Sequence, residues 1–134
     1  MRLSRRYLLI LLPLLLLLMG ARQAPLSDPD PIAVPAGLEL KTVEREIKRA
    51  LIGRGWTITA EAEGQIDSTL NVRAHTARVR ISYDAQQVAL AYVSSENLAY
   101  EEKRGERYIH KNYASWVNNV LTDLSRGLQM AAIE

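Results

Sequence analysis

Three features of the sequence predict an α+β fold. Apolar residues recur at three-and-four spacing near both ends, apolar and polar residues alternate between them, and only a few residues link the alternating runs. The helical stripes cover residues 40–52 and 109–128, and the alternation runs from 56 to 93. Short links make consecutive strands antiparallel neighbours. The expected architecture has two layers: a four-stranded antiparallel meander with an N-terminal and a C-terminal helix on one face, in the order α-β-β-β-β-α. Residues 38–134 are expected to hold it as one domain.

Residues 1–7 carry Arg2, Arg5 and Arg6, and residues 8–19 follow without a charge. A basic start before a short apolar run is the pattern of a secretory signal. The run has 12 residues, against the roughly 17–25 that cross a bilayer comfortably. Residues 1–21 are therefore read first as a cleaved signal peptide and second as a short N-terminal anchor. Either reading places the protein in the periplasm or cell envelope of a bacterium. Membrane contact is expected only through this segment if it is uncleaved.

Removing those residues changes the charge. The chain has 17 basic and 15 acidic residues; without the three leading arginines 14 basic residues face 15 acidic ones. The basic balance thus belongs to the export segment, and no nucleic-acid partner is expected. Cysteine is absent, which excludes disulfides, thiol catalysis and cysteine zinc sites. Residues 22–37 hold four of the five prolines, Pro25, Pro29, Pro31 and Pro35. This density opposes helix and sheet ladders, so the segment is expected to be a linker.

In the first helix Leu40, Val43, Ile47, Ala50 and Leu51 form the apolar stripe, and Gly53 and Gly55 supply its stop. The first strand sets Trp56, Ile58, Ala60 and Ala62 against Thr57, Thr59, Glu61 and Glu63, with a turn at Gly64. The second sets Ile66, Ser68, Leu70 and Val72 inward, the third Ala77, Val79, Ile81 and Tyr83, and the fourth Val88, Leu90 and Tyr92. Residues 94–108 are rich in charge and poor in period, so a long exposed loop is expected. The last helix presents Ile109, Tyr113, Trp116 and Val117, Val120 and Leu121, Leu124 and Leu128 to the sheet.

Constellations for chemistry are sparse. His75 and His110 are the two histidines, with no acidic or histidine ligand at metal spacing beside either, and no glycine-rich phosphate loop or nucleophile elbow is present. No metal, no cofactor and no enzymatic activity are expected. Arg73, Arg78 and Arg80 alternate onto the solvent face, where they form either a small basic patch or cross-strand ion pairs with Asp67, Glu61 and Glu63. Tyr92, Asn97, Tyr100 and Tyr113, with Trp116, either line a cleft under the last helix or serve as core and rim. His110 and Asn112 stand at the helix entrance, the first place to look for a binding surface.

The pieces Arg54-Gly55-Trp56, Leu70-Asn71-Val72-Arg73-Ala74-His75, Val79-Arg80-Ile81-Ser82-Tyr83, Ser94-Ser95-Glu96-Asn97-Leu98 and Ile109-His110-Lys111-Asn112-Tyr113-Ala114-Ser115-Trp116-Val117 resemble an uncharacterised family of small bacterial envelope lipoproteins. The likeness spans roughly residues 40–128. It implies export and an envelope location, and it carries over no activity or catalytic residue. Leu18-Met19-Gly20-Ala21 is similar to a lipoprotein signal with alanine at the cysteine position, so no lipid can be attached there. The expected function is a non-enzymatic periplasmic binding or assembly module that contacts a protein or envelope polymer through a sheet edge or the long loop. The alternative is a carrier of a small lipid, sugar or peptide in a cleft under the C-terminal helix.

Overall fold

The computed structural model describes residues 22–134. Val43, Ile47, Ala50 and Leu51 fall on one face of helix α1 (Leu40–Gly53), and all four are buried. The helix ends where Gly55 takes φ +84°, and the Trp56 N–H donates back to the Leu51 carbonyl at 3.0 Å. Helix α2 (Asn112–Ala132) buries Tyr113, Val117, Val120, Leu124 and Leu128. It begins three residues later than its apolar stripe suggests. Ile109 and His110 belong to the preceding strand, whose inward residue happens to continue the helical spacing. The helices meet where Gly127 faces Glu46: a Cβ on Gly127 would come within 2.6 Å of the Glu46 carboxylate. Arg54 closes the same pair by donating to both carboxylate oxygens of Asp123, at 2.7 and 3.2 Å.

The strands are β1 (Gln23–Pro25), β2 (Ile32–Ala33), β3 (Thr57–Ala62), β4 (Gln65–Val72), β5 (His75–Tyr83), β6 (Gln87–Glu96), β7 (Glu101–Lys103) and β8 (Glu106–His110). They form two antiparallel sheets, five-stranded in the order β2-β6-β5-β4-β3 and three-stranded in the order β1-β8-β7. The fold is thus α+β. The expected meander survives as the run β3 to β6, but a fifth strand is added beside β6 and a second sheet stands apart from it. Ile66 and Leu70, Ala77, Val79 and Ile81, and Val88 and Leu90 are the inward rows of β4, β5 and β6. They join the buried stripes of both helices in one core.

The proline-rich segment is not a free linker. β1 pairs with β8, and β2 pairs with β6 through Ile32 opposite Val88 and Ala33 opposite Gln87. Leu26 and Val34 are buried in the core. Proline removes its own N–H from a ladder but leaves its neighbours free to pair, so short edge strands form around the prolines, β1 ending on Pro25 and β2 lying between Pro31 and Pro35. The stretch read as a long loop is also structured. β6 continues to Glu96, and β7 and β8 make a hairpin whose two-residue turn places Arg104 at φ +53° and Gly105 at φ +78°. Two positive φ angles are what a tight hairpin turn requires.

Two bulges re-aim side chains. On β3, Ile58 stands opposite Ser68 while Ala60 stands opposite Asp67, which leaves Thr59 as the extra residue. Beyond it the faces exchange. Ala60 and Ala62, expected to point inward, lie on the row of Asp67 and Gln65 and are exposed, while Glu61 stands opposite buried Ile66 and pairs with Lys48 of α1. On β6, Tyr92 stands opposite Val79 and Ser94 opposite Arg78, so Val93 is extra. Among the described residues no helix is long and apolar enough to cross a membrane.

Candidate functional site

One end of the molecule collects three chain reversals. The Lys111 N–H donates to the Arg22 carbonyl at 2.9 Å, and Gln23 stands opposite His110. The Gln23 amide donates to the Ala99 carbonyl and the His110 N–H to the Leu98 carbonyl, each at 2.9 Å. The Asn97 side chain donates to the Ala74 carbonyl at 3.4 Å, tying the turn after β6 to the β4–β5 hairpin. Three non-glycine residues at this end hold left-handed backbone: Arg73 (φ 55°), Asn97 (φ 51°) and Ala99 (φ 53°). Such conformations persist where surrounding contacts over-determine them.

The two histidines, far apart in sequence, meet here. Their ring centroids are 5.9 Å apart, and the His75 ring lies 6.2 Å from that of Trp116. His75 Nδ1–H donates to the Asn97 carbonyl. His110 Nδ1 accepts the Asn112 N–H at 3.1 Å, so its proton sits on Nε2 in the neutral ring. Burial first, and then His75, Lys111 and Arg22, hold His110 below the ordinary histidine pKa. Neither imidazole has a carboxylate partner, and no cluster of three or more His, Cys, Asp or Glu that could hold a metal exists among the described residues. Two imidazoles, an indole and an amide thus stand together at this end.

The tyrosines form a separate cluster. Tyr92 stacks on Tyr100 with centroids 5.0 Å apart and planes 12° from parallel, and it meets Tyr113 edge-on at 5.7 Å. The bulge at Val93 brings Ser95 onto the face of Tyr92, where their hydroxyls bond at 2.7 Å. The Tyr100 hydroxyl donates to Glu102 at 2.7 Å. Tyr113 is buried, and its hydroxyl has no partner among the described residues. The cleft beside it, lined by Leu26, Ile109, Tyr113 and Val117, holds about 60 Å³, against the roughly 300–1,000 Å³ of ligand pockets. Tyr92, Tyr100 and Tyr113 thus pack on one another, while Asn97, His110 and Asn112 join the histidine end.

The arginines do not converge. Arg80 donates to both oxygens of Asp67 across the β4–β5 ladder, at 2.8 and 3.1 Å, and this holds the Asp67 carboxyl below its usual range. Arg78 donates to Glu96 at 2.7 Å and to the Ser94 hydroxyl at 3.3 Å. Arg73 stands apart from both, at the tip of the β4–β5 turn, beside the histidine end. The sequence does not announce that end. His75, Trp116, Arg22 and Lys111 lie on four different elements or turns, and no local period links them.

The edges of the five-stranded sheet are treated differently. β2 and the Asp28 carboxylate, which accepts the Tyr92 N–H at 3.0 Å, seal the β6 side. β3 forms the other edge; most of its residues are exposed, and no strand pairs with its outer side among the described residues. No protein-family model, curated protein or solved structure matches the chain.

Proposed function

We propose that the protein is an exported envelope module, held at the membrane by residues 1–21, that binds an extended segment of a partner protein along β3. The open β3 edge carries this reading. The chain covers one edge of its main sheet with its own N-terminal segment and leaves the other exposed. An unpaired edge is a template for strand addition, in which main-chain hydrogen bonds supply affinity. The bulge at Thr59 twists that edge and discourages indiscriminate pairing of two flat strands. The basic and apolar start of the chain and its likeness to small envelope lipoproteins support export. Met19, at the third position before a cut after Ala21, suits signal peptidase poorly, and the proposal takes the second reading of residues 1–21, retention as an anchor. The alternative of a ligand carrier finds no cavity of ligand size beside Tyr113.

A photo-crosslinking side chain placed at Ala60 on β3, and at Ser82 within the sheet as control, tests the edge. Discrete adducts in bacterial envelopes from Ala60 and none from Ser82 are expected. Identical patterns from both positions would remove β3 as the contact.

A further inference from the structure

The start of the domain is fixed in the wall of the fold. Arg22 is bonded through its carbonyl to Lys111, and Gln23 to Pro25 are zipped to β8. Between Met19, the last residue of the apolar run, and that fixed point lie three steps of chain, Gly20, Ala21 and Arg22. Three residues reach at most about 10 Å. The headgroup layer of one leaflet is roughly 5–7 Å deep. If the apolar run sits in hydrocarbon, the chain has too little slack to hold the Arg22 end far from the headgroups.

The residues at that end suit such a surface. Arg22, Lys111 and Arg73 are exposed cations, whereas Glu96 and Glu101, which flank Asn97 and Ala99 in the chain, are held by Arg78 and Lys103 at 2.7 and 2.8 Å. Basic residues close to a membrane surface are attracted by anionic lipids. Half-buried Trp116 presents an amphipathic ring of the kind enriched at bilayer interfaces. The near neutrality of residues 22–134 hides this local excess.

We propose that the end formed by Arg22, Arg73, Lys111, His75, His110 and Trp116 is a membrane-facing surface that contacts anionic phospholipid headgroups. The inference rests on residues 1–21 being retained as an anchor, and it fixes the orientation of the domain, with the β3–β4 and β5–β6 turns pointing away from the bilayer.

The native chain has no cysteine, so single labels can be placed by Ala74→Cys and Ser115→Cys near the proposed surface and by Ala85→Cys at the opposite end. Full-length protein is reconstituted into nanodiscs of phosphatidylcholine with phosphatidylglycerol, or of phosphatidylcholine alone, each with a headgroup-attached quencher. Quenching severalfold stronger at positions 74 and 115 than at 85 is expected in the anionic discs. Combining Arg22→Glu with Lys111→Glu should lower it, with an unchanged circular dichroism spectrum confirming the fold. Equal quenching at all three positions, in protein that co-elutes with the discs, overturns the orientation. Near-end quenching equally strong in both lipid mixtures overturns the headgroup contact. Failure of the chain to co-elute overturns the anchor reading, and the inference falls with it.

Discussion

The carboxylate of Asp28 accepts the backbone N–H of Tyr92 at 3.0 Å, where β2 no longer covers β6. A side chain from the proline-rich segment thus does the work of a missing strand. Asp28→Ala leaves that N–H to water and reopens part of the edge. Amide exchange at Tyr92 should accelerate while amides in β4 and β5 keep their protection, as hydrogen-exchange mass spectrometry or NMR can measure. Unchanged exchange at Tyr92 would show that the contact seals nothing.

Tyr113 is buried with a hydroxyl unpartnered among the described residues, and burial first, then the Asp28 carboxylate, holds its phenol above the ordinary value of 10.0. The unfolded chain ionises near pH 10 and the native state only at higher pH. Native stability is therefore unaffected by this group below pH 10 and falls as pH rises from there towards the raised native value. Tyr113→Phe removes a desolvated hydroxyl and should stabilise by about 1 kcal/mol at neutral pH. Urea melts of the variant should also show a shallower decline above pH 10.

Leu124 is fully buried, whereas Trp116 lies at the rim of the core against His75. Leu124→Ala should cost about 2–5 kcal/mol through lost burial and a cavity. Trp116→Ala should cost less, because part of the indole already meets water, despite the larger side chain. Thermal melts of the two variants give the order, and a larger loss for Trp116 would contradict the packing described.

Asp67 is stabilised as the carboxylate by Arg80, with the two-point hydrogen bond the first cause of its lowered pKa. That contribution is present above the ordinary value of 3.8 and is lost as pH falls through the lowered native value. Asp67→Asn should therefore be less stable than the native chain at neutral pH, and the gap should close on acidification well below the ordinary value of 3.8. A gap that stays constant on acidification would mean that the pair adds nothing.

The helices were legible because a buried stripe on a helix imposes a period that survives in sequence, as Val43, Ile47 and Leu51 or Val120, Leu124 and Leu128 show. β4, β5 and the first half of β6 were legible through their period of two. The two bulges were not. An extra residue at Thr59 or Val93 changes no local composition, yet it turns every later side chain to the other face, which is why Ala60, Ala62 and Glu61 exchanged roles. The β7–β8 hairpin was hidden by its charges, with Gly105 as the one turn signal.

By itself the sequence determined the α+β class, the two amphipathic helices and the consecutive antiparallel strands, because each follows from periodicity within one element. Tertiary structure alone decided that the proline-rich segment seals β6 and that His75 meets His110 and Trp116. It also decided that Arg22 is pinned to Lys111. These are contacts between residues remote in the chain, and their partners are chosen by register and packing, which leave no period in the sequence.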